Sequence, residues 1–249
     1  ITFKLKNNII VPVPCFFTKK LSIDYLSIKK HINFLLKKGV KHLYIGQSAS
    51  ELERLSYNER IKFAIFVKKT INKKSKLILQ PPGHTNIEDQ IKESKKLISI
   101  GCDALVIQPV QIKTKQDFYS TPFKLAEYSP IRHDNYYIEY MEKICENLKK
   151  PIIFHNREFS FGKSLSLNAI KTISKIKNVI SIKEHNSDIK IRKKIYKLFQ
   201  KNNKISCYDG FSKEDYIITS KHGVNSRHSN FSWFDPEWDK LFLNLVNDK

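Results

Sequence analysis

The stretch Asn178-Val179-Ile180-Ser181-Ile182-Lys183-Glu184 decides how the rest of the chain is read. It is rich in β-branched residues, has no Gly or Pro, and is soon followed by a helical pattern, so it predicts a short buried strand. Strict alternation places Val179, Ser181 and Lys183 on one face and Ile180 and Ile182 on the other. A lysine at the end of such a strand is costly, because desolvation lowers an ammonium pKa by up to roughly 3–5 units. A fold tolerates it when the lysine is paired, or when a neutral amine is wanted as a nucleophile. The bland alternative is a lysine that merely snorkels out of the strand end. The surrounding chain decides between them.

On both sides short apolar runs alternate with longer helical patterns. Strands are predicted at residues 9–14, 42–46, 76–80, 104–108, 151–156, 178–184 and 205–210, with a weak one at 223–230. Helices are predicted at 23–38, 57–71, 85–101, 134–148, 166–176, 188–200 and 212–220, and from 235 nearly to the end. Gly39 closes the first helix and Asp235-Pro236 opens the last. Eight β-α units in 249 residues predict an α/β fold: a closed (β/α)8 TIM barrel forming a single domain over residues 1–249. An open doubly wound sheet fits less well, because no G-x-G-x-x-G follows the first strand. In a barrel the chemistry gathers at the carboxyl ends of the strands. Position alone therefore selects Glu51, residues 108–111, His155, Asn156, Lys183, Asp209 and residues 225–230.

Cys15, Cys102, Cys145 and Cys207 are far apart and form no CxxC or Cys/His cluster. This argues against a zinc site or a disulfide framework and points to a reducing cytoplasm. Neither a signal peptide nor an apolar run of membrane-spanning length is visible. With Ile1 in place of an initiator methionine, the native start is expected to be missing or processed. The net charge of +21 raises nucleic acid as a partner. The lysines, however, are spread over most predicted helices, as in Lys68-Lys69, Lys95-Lys96, Lys149-Lys150 and Lys193-Lys194, without aromatic interleaving or a binding motif. A solvated lysine-rich surface accounts for them, so no specific nucleic acid and no membrane partner is expected.

Two loops add detail. Gly46-Gln47-Ser48-Ala49-Ser50-Glu51 follows strand two, where small residues let backbone N–H groups face an anion such as a substrate carboxylate. Residues 156–162 follow strand five and end in Gly162, which takes a left-handed turn readily. In order with Ser22-Ile23-Asp24-Tyr25, Gly39-Val40-Lys41-His42-Leu43-Tyr44, Glu51-Leu52-Glu53-Arg54-Leu55-Ser56, Glu59-Arg60, Gly101-Cys102-Asp103-Ala104 and Ser181-Ile182-Lys183-Glu184, this pattern resembles the dihydrodipicolinate synthase / N-acetylneuraminate lyase family of class I aldolases. The resemblance covers nearly the whole chain.

The resemblance implies that Lys183 forms a Schiff base with pyruvate or a related 2-oxo acid. The protonated imine would then be the electron sink for making or breaking a carbon–carbon bond. It further implies that Ser48 and Ala49 bind the substrate carboxylate, that Gln111 and Asn225 line the same pocket, and that no metal or dissociable cofactor is required. Several positions depart from the family pattern. His155 stands where a proton-shuttling tyrosine is usual, and Ala49 where a second hydroxyl residue is. Strand four ends Pro109-Val110-Gln111 where Pro-Tyr-Tyr is common, and Asn225 replaces an apolar side chain. Ser160 replaces the arginine that holds an acidic second substrate, with Arg157 a displaced stand-in. By the same resemblance, the C-terminal helical extension common in the family is expected to be missing or short.

An imidazole pKa near 6.5 suits proton transfer at neutral pH, so His155 is expected as a general acid/base, the alternative being a ring that only fills the barrel mouth. The first function implied is the family's commonest role, a 4-hydroxy-tetrahydrodipicolinate synthase-like lyase or synthase. An aldolase or dehydratase of another 2-oxo acid, or of a sugar acid, comes next, and a degenerate non-catalytic member third. The expected partners are a small-molecule 2-oxo acid and further copies of the chain, as a tetramer or dimer.

Overall fold

The structure, a computed structural model, describes residues 3, 5, 7–46, 48–83, 86–108, 134–157, 165–200, 205–210, 212–224 and 226–247. The expectations placed on Gln47, on residues 109–111 including Gln111, on Ser160, Gly162 and Asn225 fall outside this set.

Parallel pairing runs unbroken through β1 (Ile9–Pro12), β2 (His42–Ile45), β3 (Lys76–Leu79), β4 (Ala104–Ile107), β5 (Ile152–Arg157), β6 (Val179–His185), β7 (Ser206–Asp209) and β8 (Ser226–His228). β8 pairs back with β1, which closes the barrel. After each strand, in order, comes one of the helices α1 (Tyr25–Lys37), α2 (Tyr57–Ile71), α3 (Ile87–Ile100), α4 (Asp134–Asn147), α5 (Leu167–Ile173), α6 (Ile189–Phe199), α7 (Lys213–Ser220) and α8 (Pro236–Asn247). This is the (β/α)8 barrel that the alternating pattern predicts.

Local chemistry starts the helices where it does. Asp24, Asn86, Ser166, Asp188 and Ser212 each accept a hydrogen bond from a first-turn amide of the helix that follows, satisfying a donor the helix start leaves open. Ser56 and Glu59 do so reciprocally at α2. Gly101 ends α3 in the left-handed region (φ 96°), which an L side chain adopts at a cost.

The core has two layers. Outward-facing strand residues such as Val11, Leu43, Leu105, Phe154 and Ile182 pack against the helices, and α1 meets them with Ile28, Ile32 and Leu35, spaced to form one stripe. Inside the barrel, Leu5, Ile10, Tyr44, Ile78, Ala104, Val106, Ile153 and Tyr208 form a second cluster. Polar side chains are thereby pushed toward the carboxyl ends of the strands.

β6 departs from strict alternation. Ile152 pairs with Val179 but Ile153 pairs with Ser181, so the register skips Ile180. Val179 and Ile182 lie in the outer layer, while Ile180 packs against the interior cluster. The expectation that Val179 shares the face of Lys183, and Ile180 that of Ile182, is therefore corrected. A bulge inserts one residue and resets which side chains face in. Beyond it alternation holds, and Lys183 is in register with the interior Tyr208.

Candidate active site

At the carboxyl ends of the strands the barrel opens into a cavity of about 310 Å³. Lys183 from β6, His155 and Arg157 from β5, His185 from β6, His228 from β8 and Tyr44 from β2 line it, with Ser48, Ala49, Gln80, Gln108, Gly210 and Asn230. The sequence candidates Lys183, His155, Ser48 and Ala49 are thus brought together.

Lys183 is only 5% exposed. Burial, assisted by the positive charge of Arg157, lowers its amine from 10.5 to about 7. Its Nζ lies 5.0 Å from the centroid of the Tyr44 ring, which supplies a cation–π contact in place of a carboxylate. The lysine is held inside the barrel and does not snorkel out of the strand end.

His155 is the register partner of Lys183. Neither of its ring nitrogens has a hydrogen-bond partner among the described residues, although the side chain is buried. Burial, followed by the charges of Lys183, His185, Arg157 and His228, holds its pKa well below the usual imidazole range. The expectation of a ring titrating near 6.5 is corrected: His155 titrates well below that value and favours the neutral ring.

Tyr44 was not selected from the sequence. Its hydroxyl donates to Gln80 Oε1, and Gln80 Nε2 donates to Gln108 Oε1 at 3.4 Å. A Cβ at Gly46 would overlap the Tyr44 ring, so glycine there is what admits the phenol to the barrel mouth. In the loop beyond, Ser50 N donates to Gly46 O (3.2 Å) and Glu51 N to Ser48 O (3.1 Å), while Ser48 Oγ donates to Glu53 Oε1 at 3.1 Å. His185 was also missed as a site residue, whereas His228 falls within the stretch 225–230 that position had selected. The signal for His185 was present, since it stands two residues beyond Lys183 on the same strand and so on the same face.

Three positional candidates lie elsewhere. Glu51 pairs with Arg54 on the surface at 3.0 Å. Asn156 and Asp209 face outward, behind the barrel wall. Asn156 Nδ2 donates to Glu184 Oε2 (2.7 Å), and Asn186 N donates to Glu184 Oε1 (2.8 Å). Burial raises the Glu184 carboxyl to about 8. Asp209 Oδ2 accepts from Tyr196 OH (3.1 Å), Thr219 Oγ1 (3.1 Å) and Arg192 (3.4 Å). These outward residues fall one step out of phase with Lys183, so they brace the site without lining it.

A larger, wide-mouthed hollow of about 880 Å³ opens near the amino ends of β5 and β6, beside Cys145, Pro151, Asn178 and Ile180. It lacks an activated nucleophile, because burial pushes the Cys145 thiol up to about 12. Among the described residues no helix is long and apolar enough to cross a membrane.

The profile of the Dihydrodipicolinate synthetase family matches residues 5–235. The 4-hydroxy-tetrahydrodipicolinate synthase of Buchnera aphidicola subsp. Baizongia pistaciae (strain Bp) is 27% identical over 206 residues, which are 83% of this chain and 64% of that protein. Across the first three curated relatives the chain spans 53% to 65% of their length. The dihydrodipicolinate synthase from Oceanobacillus iheyensis shares the fold with a TM-score of 0.80 at 19% identity, over 98% of this chain and 74% of that one. The chloride-inhibited dihydrodipicolinate synthase from Acinetobacter baumannii, complexed with pyruvate, does so with a TM-score of 0.77 at 18% identity, over 98% and 80%. With a family match over nearly its whole length and a closed eight-stranded barrel, the chain belongs to the dihydrodipicolinate synthetase family.

Proposed function

We propose that this chain is a Schiff-base-forming lyase or synthase acting on pyruvate or a related 2-oxo acid, with 4-hydroxy-tetrahydrodipicolinate synthase-like aldol chemistry as its first assignment. The observation that carries this reading is Lys183, a buried amine lowered to about 7 and facing the cavity at the carboxyl end of β6. Only the unprotonated amine has a lone pair to attack a ketone. At neutral pH an ordinary lysine is unprotonated in roughly one molecule in a few thousand, whereas Lys183 is so in about half.

The chemistry follows from that amine. Lys183 Nζ attacks the ketone carbon, the carbonyl oxygen takes up protons and leaves as water, and a protonated imine remains. A base then removes a proton from the adjacent carbon, and the C–H electron pair flows to the iminium nitrogen to give an enamine. The enamine carbon attacks an aldehyde carbon, whose oxygen takes a proton, and hydrolysis of the new imine frees Lys183. Cleavage runs the same steps in reverse. We assign the proton transfers to His155, the register partner of Lys183. The carboxylate falls to the amides of Ser48 and Ala49, which donate to no backbone carbonyl among the described residues.

The synthase names of the relatives and the pyruvate complex of the Acinetobacter baumannii protein support this reading. An aldolase or dehydratase of another 2-oxo acid is the second reading. It is favoured by His155 in the tyrosine's place and by the basic lining of the cavity.

Borohydride reduction in the presence of pyruvate, followed by peptide mass spectrometry, should place the adduct on Lys183. The trapping rate should rise through pH about 7 as the amine loses its proton. An adduct confined to surface lysines, or none with a panel of 2-oxo acids, would overturn the proposal. A Lys183 adduct without turnover of any aldehyde would point to a binding protein that has kept the barrel.

A further inference from the structure

Glu184 follows Lys183 on β6 and takes no part in lining the cavity, yet it is fully buried and both its oxygens are engaged. We propose that Glu184, acting through Asn156, is a positioning residue for the proton transfers: the pair sets where His155 lies relative to Lys183, while imine formation itself does without it. The inference rests on the Schiff-base reading above and adds to that site a residue outside its cavity.

Asn156 and Glu184 are register partners, one step beyond the partners His155 and Lys183. Alternation turns them outward, so the 2.7 Å bond from Asn156 Nδ2 to Glu184 Oε2 ties the two strands on the far side of the wall. Glu184 Oε1 accepts from Asn186 N at 2.8 Å, which pins the chain as it leaves β6. Asn186 Oδ1 in turn accepts from Asp188 N at the start of α6. A tie is needed here because the ladder is irregular close by. The register between β5 and β6 skips Ile180, three residues before Lys183, and a bulge bends and twists its strand.

The two steps of the chemistry feel a loosened tie differently. Lysine carries its amine on a flexible four-carbon stem, so Lys183 reaches a ketone after a small backbone shift. An imidazole sits on a short, stiff arm, so the reach of His155 is set by the backbone of β5. A proton-transfer partner must lie within hydrogen-bond reach, and a misplacement of about 1 Å costs about a hundredfold.

The tie asks Glu184 for a neutral hydrogen-bonding group. Its carboxyl is pushed up to about 8 by burial, with Asp209 adding to the rise, while bonds from Asn156 and Asn186 and the charge of Arg192 oppose it. Asn156 Oδ1 is buried and has no partner among the described residues. Turning the Asn156 amide over lets a protonated Glu184 donate to that oxygen while Oε1 still accepts from Asn186 N. A glutamine offers the same pair of functions: a carbonyl oxygen for Asn186 N and an N–H for Asn156 Oδ1.

The test separates the two steps on the full chain, with pyruvate as probe, or 2-oxobutyrate should only that trap. Borohydride trapping on Lys183 reads imine formation. Exchange of the hydrogens beside the ketone for deuterium in heavy water, followed by proton NMR, reads the proton transfer that makes the enamine. In Glu184→Ala and Asn156→Ala, half-maximal trapping should stay within about threefold of the parent while exchange slows by at least about tenfold. Glu184→Gln should keep both within about threefold. Exchange as fast as the parent's in folded Glu184→Ala overturns the inference, and so does exchange that falls only in step with trapping. Glu184→Gln exchanging as slowly as Glu184→Ala overturns the neutral role. Should neither alanine variant fold, the pair is a structural tie alone and the inference is overturned. A parent that traps the probe without exchanging its hydrogens overturns the inference and leaves the Schiff-base proposal standing. A parent that traps neither probe overturns the inference, and with no adduct from the wider panel of 2-oxo acids the Schiff-base proposal falls as well.

Discussion

Burial lowers the proton affinity of both Lys183 and His155, with opposite consequences. For Lys183 it frees the lone pair that the proposed imine chemistry needs; for His155 it removes a cation, so that under the proposal the ring acts as a base. General acid/base help is typically worth about 10²–10⁴-fold. His155→Phe should cut turnover on that scale while leaving borohydride trapping at Lys183 in place, measured side by side on one preparation. Equal turnover would make His155 a packing residue. Lys183 also carries a stability cost. Its folded pKa of about 7 lies below the unfolded value near 10.5, so between those values the unfolded chain binds more protons and stability rises with pH. The penalty is full below pH about 7, at a few kcal/mol (about 1.4 kcal/mol per unit), and fades toward 10.5. Lys183→Met should therefore melt higher than the parent, with a larger gain at pH 6 than at pH 9. A variant that melts lower would mean that the ammonium makes a net stabilising contact.

At the scale of elements, β5 and β6 carry the site and a second layer braces it from behind. The bond from Asn156 to Glu184 joins the two strands one residue beyond His155 and Lys183, on the opposite face. Next to it Arg192 on α6 reaches both Asp209 at 3.4 Å and Asp215 at 2.9 Å, tying the helix layer to β7 and α7. Arg192 and Asp209 are 2% and 1% exposed, so removing the guanidinium leaves a buried carboxylate without its cation. Such losses cost about 3–5 kcal/mol. Urea unfolding of Arg192→Met should show that loss, with the midpoint falling and the slope unchanged. A loss below about 1 kcal/mol would show that Tyr196 and Thr219 suffice to hold Asp209.

For the whole molecule, closure and charge are the governing terms. The barrel is sealed where Ser226 Oγ donates to Leu5 O, with Leu5 in the interior cluster, and where Trp233 Nε1 donates to Pro12 O at 2.6 Å. Around that frame lies a net charge of +21, spread over the helices. Like charges on a compact body repel, and salt screens them over about 10 Å at 0.1 M. The melting temperature should therefore rise as salt increases from about 0.05 M to about 0.3 M. A melting temperature that ignores salt would mean the lysines are already neutralised by neighbouring acids.

The (β/α)8 order, the helix starts and Lys183 were all legible in the sequence, because each depends on residues adjacent along the chain. Apolar period, caps and turns are local, and a lysine closing an apolar strand contradicts its own neighbourhood. The faces of β6 were not legible. Alternation predicts them only if no residue is skipped, and the bulge at Ile180 is settled by how β5 and β6 pair. Nor was the assembly of Tyr44, Arg157, His185 and His228 around Lys183, which come from four strands up to 184 positions apart in the chain. Composition could name these side chains but not their company. The proton affinities followed suit: burial first and neighbouring cations second, not the type of side chain, lower those of Lys183 and His155.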